Sequence, residues 1–187
     1  MMFCDTFLAI DFVLRSMKGD LSTLKKVCRY ASVVMLIGEI IFAMLFIATL
    51  IMGISTFITD VWKDALFEWI GVNGSDGTVK IVSAFIVTLM IIALAFITVG
   101  MVREIMVSIK TEYTPFIPEN AKRIKTISMA FLFSSVFLLL FGFLAGKGIT
   151  ELLFMFFGSL MVAVVMYCLT IVSRYGTLLQ KESDETL

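Results

Sequence analysis

Apolar residues run almost unbroken through four stretches, 31–57, 81–102, 126–146 and 152–173, and short charged segments separate them. Glu39 is the single charged side chain inside these stretches. A helix rises about 1.5 Å per residue, so about 20 residues cross a hydrocarbon layer about 30 Å thick. Each stretch meets that length. The pattern predicts an all-α integral membrane protein of four spans, packed as an antiparallel four-helix transmembrane bundle. Composition agrees: 60% of the 187 residues are hydrophobic and 16% charged, against about 25% charged in ordinary soluble domains.

The charged segments set the orientation. Residues 1–30 carry Arg15, Lys18, Lys25, Lys26 and Arg29, and the connection 103–125 carries Arg103, Lys110, Lys122, Arg123 and Lys125. The tail 174–187 adds Arg174 and Lys181, whereas the connections 58–80 and 147–151 hold only Lys63, Lys80 and Lys147. Basic residues are retained on the cytoplasmic side. Both termini are therefore expected inside, in a multi-pass protein of the cell membrane.

The N-terminal segment has two readings. Its apolar run at 7–14 is too short to span and lacks the basic lead of a signal peptide. It suits an interfacial helix on the inner leaflet; alternatively, Met17 is the natural start. In the loop 58–80, Trp62, Leu66 and Trp69 fall at i, i+4 and i+7, one face of a short amphipathic helix. That spacing places Trp62 and Trp69 as interface anchors at headgroup level. Asn73 to Gly77 is a turn cluster, and Asn73-Gly74-Ser75 fits a glycosylation sequon. In the connection 103–125, the second span continues as helix towards Lys110 and breaks around Pro115 and Pro118. Pro118 then opens the next helix, with Glu119 near its positive end. The basic cluster at Lys122, Arg123 and Lys125 faces anionic lipid headgroups or a cytoplasmic protein partner.

Two segments here resemble a known family. Pro115-Phe116-Ile117-Pro118-Glu119-Asn120-Ala121-Lys122-Arg123-Ile124 is similar to the "PFxxENAxRL" segment of prokaryotic four-span membrane proteins known as domain of unknown function 2975. Gly176-Thr177-Leu178-Leu179-Gln180-Lys181-Glu182-Ser183-Asp184-Glu185-Thr186-Leu187 is similar to that family's closing "GxxLQxExDxTL". The resemblance covers about residues 17–187 and leaves the aromatic outer loop unmatched. It implies a cell-membrane protein with no established activity, often encoded beside a small helix-turn-helix regulator.

Chemistry inside the membrane centres on Glu39. It lies ten residues past Arg29, about 15 Å into the layer. A carboxylate there costs several kcal/mol if it faces lipid, so it is expected to face the bundle. Thr88, Ser134, Ser135 and Ser159 fall at similar depth and would form a polar layer with it. This layer is either interhelical glue or an ion or small-ligand site. Gly142 and Gly146 make a small-residue pair in the third span, and Gly158, Ser159 and Ala163 a patch in the fourth, both expected to let helices approach closely.

Several function classes lose support. There is no histidine, and Cys4, Cys28 and Cys168 have no metal-ligand spacing or disulfide framework. No cofactor pattern and no catalytic dyad occur within the spans. Net charge is zero, so no global basic field would hold nucleic acid. The reading that remains is a non-enzymatic regulatory or partner-binding membrane protein. The alternative is a small transporter or channel component that uses Glu39, which with four spans would need a homo-oligomer. The tail offers a cytoplasmic surface: Tyr175, Leu178 and Leu179 share one helix face and would pack against 116–124. Glu182 and Asp184 would complement Lys122, Arg123 and Lys125.

Overall fold

A computed structural model describes residues 2–185 except Phe57, Thr59, Tyr113 and Pro115; for 2–25, Asp60, Glu112 and Asp184 only the backbone is described. The described elements are helical: α1 (Met2–Ser55), a 3-10 turn (Asp60–Trp62), α2 (Lys63–Ile70), α3 (Thr78–Glu112), α4 (Pro118–Leu144) and α5 (Ile149–Glu185). Four of these helices are long and apolar enough to cross a membrane. Both readings of the N-terminal segment fall on backbone that is helical and continuous with the first span. Leu187, the end of the tail motif, and Thr186 lie outside the described residues.

The long helices pack in chain order, α1 on α3, α3 on α4 and α4 on α5. Among the described residues α1 makes no contact with α4 or α5, so the bundle is open along one side. Large apolar side chains line the outside; Phe154 is 82% and Phe143 71% exposed. In water such a surface would drive aggregation, whereas lipid tails are as apolar as these side chains. The four spans identify a multi-pass membrane protein.

Turn chemistry joins α4 to α5. Gly146 takes φ +71°, its N–H bonds to the Phe143 carbonyl and the Lys147 N–H to that of Gly142. This closes α4 with a left-handed residue that glycine adopts without strain. Gly146 is thus a helix stop, and the expected small-residue pair loses one member. Gly142 keeps its packing role, because a Cβ there would lie 2.6 Å from Leu152 Cδ2. In the fourth span Ala163 is buried, but Gly158 is exposed with nothing within 4 Å, so the patch is only partly a contact.

The outer loop departs from its expected face. α2 buries Leu66, Phe67 and Ile70, which pack with Val72, Ala84 and Ala145. Trp62 and Trp69 stay half exposed on its flanks. Of the i, i+4, i+7 set, Leu66 therefore belongs to the buried face and the two tryptophans to its edges. Aliphatic side chains and Phe67 fill the contact with α3, whereas an indole, apolar in body and polar at its N–H, favours the membrane interface. The turn returning to α3 is built on Asp76. Its Oδ2 accepts from the Asn73 N–H at 2.9 Å, and its Oδ1 meets Lys80 Nζ at 2.9 Å. The Lys80 hydrogen bond, then that from Asn73, holds the Asp76 carboxyl below its ordinary pKa. A depressed carboxylate supplies stability above its unfolded pKa and loses it as pH falls through the folded one. The protection of the Asn73 amide against hydrogen exchange, taken relative to the intrinsic rate at each pH, is expected to be lost only once the pH drops below the ordinary carboxylate range. Loss of that protection already near neutral pH would show that Asp76 does not hold this turn.

Candidate functional site

The polar chemistry gathers at the end of the helices that carries Arg29, Lys110, Lys122 and Arg174, here called the basic end. Glu39 on α1 meets Arg103 on α3, with Oε2 and Nε 2.8 Å apart. The two atoms are buried, although the side chains remain 23% and 33% exposed. They touch as an ion pair without the alignment of a hydrogen bond. Gly100 lies alongside: a Cβ there would stand in ordinary contact, 3.5 Å from the Glu39 carboxylate.

Glu39 thus finds a cation rather than the hydroxyl layer expected at its depth. Thr88 donates to the Ala84 carbonyl and Ser135 to that of Leu132, each within its own helix. Ser135 is buried, and Ser134 and Ser159 are half-buried. Depth alone grouped these residues, and rotation about each helix axis separates them. Arg103 was assigned to the connection 103–125. It reaches Glu39 because α3 runs on as helix to Glu112, and its long side chain extends towards the membrane interior.

The next residue of α3, Glu104, binds Arg123 of α4, Oε2 to Nε at 2.8 Å. Arg123 also donates from Nη1 to Asn120 Oδ1 at 3.1 Å. Asn120 is 0% exposed and Ala121 is 4% exposed. Pro118 occupies the first turn of α4 behind an extended Ile117, and Glu119 sits in that turn, as expected. The segment 118–123 is therefore a helix start whose polar groups lock α4 to α3. A cavity of about 700 Å³ opens beside it, lined by Arg103, Glu104, Ser108, Glu119 and Arg123 among others.

The two family-like segments meet on the other side of α4. The Phe116 ring occupies the space where a Gly176 side chain would stand. Thr114 Oγ1 and Gln180 Oε1 are 3.1 Å apart. The tail leucines do not make this contact, since Leu178 and Leu179 remain exposed. Within the basic cluster Arg123 is taken by Glu104, and in the tail Lys181 pairs with Glu185 at 3.6 Å. α5 continues as helix to Glu185, and Gln180 within it stays beside Thr114. Glu182 is exposed, and the Asp184 side chain lies outside the described set. Between the helices, Lys122 and Lys125 of α4 and Arg174 of α5 line a second cavity of about 710 Å³.

The sequence reading missed Asn120 and Ser128. Ser128 donates across to the Ala163 carbonyl of α5 at 2.8 Å. Asn120 lies five residues before Lys125 and Ser128 three after it, both outside the depth window used for the polar layer. Among the described residues, no cluster of His, Cys, Asp or Glu could hold a metal ion. No family model matches the chain, and no curated protein or solved structure matches it.

Proposed function

We propose that this is a multi-pass protein of a prokaryotic cell membrane that binds a cytoplasmic protein at its basic end and catalyses no reaction. Both termini lie inside in this reading, and the four helices are antiparallel neighbours. Charge placement supports the orientation. Contacts support the helix directions: Glu39 lies beside Gly100, while Gly53, further along α1, lies beside Phe85, earlier on α3.

The observation that carries the reading is the projection of α5. It continues as helix from Arg174 to Glu185, about 18 Å at 1.5 Å per residue. Its root is held by Phe116 at Gly176, while Tyr175, Leu178 and Leu179 remain exposed on one side. A rigid helix with apolar residues at i, i+3 and i+4 is the form that a groove on a partner recognises. The partner suggested by the resemblance is a small helix-turn-helix regulator. A photo-reactive amino acid at Leu179 tests this in intact cells. The expected outcome is one discrete protein adduct at Leu179 and only lipid adducts at Phe154. Lipid alone at both positions would defeat the reading.

The transporter alternative rests on Glu39. Its carboxylate already faces Arg103, which leaves it less charge to offer a permeating cation. Loss of an uptake activity in Glu39→Gln, with the Leu179 adduct unchanged, would favour that alternative.

A further inference from the structure

The cations at the basic end are not treated alike. Arg103, Arg123 and Lys181 each have a carboxylate partner. Lys122, Lys125 and Arg174 instead converge on the cavity of about 710 Å³ between α4 and α5, and no carboxylate lines it. Among the described residues none of these three forms an ion pair with an acid. The chain has as many acidic as basic residues, so an unbalanced pocket is a local arrangement. Lys122 and Lys125 stand at i, i+3 on one face of α4. Ile171, Arg174, Tyr175 and Leu178 stand at i, i+3, i+4 and i+7 on one face of α5. The cavity therefore joins a cationic floor to an apolar wall where both helices pass from apolar to charged sequence.

We propose that this cavity binds the headgroup of an anionic glycerophospholipid. The phosphate would lie among Lys122, Lys125 and Arg174, with the guanidinium suited to two parallel hydrogen bonds to its oxygens. The acyl chains would run along the exposed apolar flank beginning at Ile171. That wall, and its place at the end of the spans, select a lipid over a free phosphate. A zwitterionic headgroup brings an amine that three cations repel. The pocket shares Tyr175 and Leu178 with the proposed docking face, but the inference rests only on the membrane placement of the helices.

Native mass spectrometry of the full chain in detergent, with phosphatidylglycerol and phosphatidylethanolamine of matched acyl chains, provides the test. The wild type is expected to retain phosphatidylglycerol in clear preference. Lys122→Gln/Lys125→Gln/Arg174→Gln is expected to weaken that retention about a hundredfold, because each cation near a headgroup contributes about fivefold, equivalent to about 1 kcal/mol. Lys147→Gln, at the opposite end, should leave it unchanged. If the triple variant loses its helical circular dichroism, Lys125→Gln and Arg174→Gln taken singly should each weaken binding about fivefold. Equal retention of the two lipids, or wild-type binding by the variants, overturns the proposal. Displacement of phosphatidylglycerol by excess inorganic phosphate overturns the choice of a lipid and assigns the pocket to a soluble phosphate.

Discussion

Replacing Arg103 by methionine is expected to destabilise the protein by about 1–3 kcal/mol, and replacing Glu39 by glutamine by less. Breaking a fully buried ion pair from one side costs about 3–5 kcal/mol, because a charge is left without a partner. Here the side chains are 33% and 23% exposed, so the figure is reduced for screening. The asymmetry has a separate cause. Arg103→Met strands a carboxylate whose Oε2 is buried, on a side chain too short to reach the headgroups. Glu39→Gln strands an arginine, which can extend to the headgroups and recover solvation. Joining Glu39→Gln to Arg103→Met should restore most of the loss. Chemical denaturation of the four variants in one detergent gives the coupling directly. A coupling energy near zero would show that the pair contributes nothing and that lipid or water already satisfies both groups.

The second large effect is expected at Asn120. Asn120→Ala removes the Oδ1 that accepts from Arg123 and leaves a void at a position with no exposure. A hydrogen bond to a charged group contributes about 1.5–3 kcal/mol, and the loss should fall in that range. The change should also loosen the start of α4, since Arg123 then has only Glu104 to hold it. Limited proteolysis within 113–117 should quicken in step with the fall in stability. Asn120→Asp keeps the acceptor and adds charge complementarity to Arg123, so it should recover part of the stability but still bear the cost of a buried charge. Wild-type stability for Asn120→Ala would mean that Arg123 and Glu104 alone fix α4 on α3.

These two residues show how far the sequence could be read. Glu39 was identifiable because one charge in four apolar stretches has no ordinary explanation. Its partner was not, because Arg103 sits where the hydrophobic stretch has already ended. Hydropathy assigns such a residue to the connection, yet an arginine side chain spans more than a helical turn and can return into the layer. Asn120 belongs to a segment that resembles a family motif, and its basic neighbours drew the reading towards a partner surface. Complete burial of the asparagine gives the segment a structural task, the locking of one helix start against its neighbour.

The sequence by itself determined the number of membrane-spanning helices, the break before Pro118, the turn at 73–77 and the concentration of cations at one end. Each follows from local chemistry: chain length against membrane thickness, proline geometry, turn residues, and charges kept out of hydrocarbon. Only the tertiary structure decided which helices touch, which face of α2 is buried, that Gly176 receives Phe116, and that three basic residues share one cavity. Those facts depend on the rotation of each helix about its axis. In a membrane nearly every position is apolar, and lipid accepts any apolar face as readily as a neighbouring helix does. Hydrophobicity therefore carries no rotational signal, and packing at a few glycines and polar side chains sets it instead.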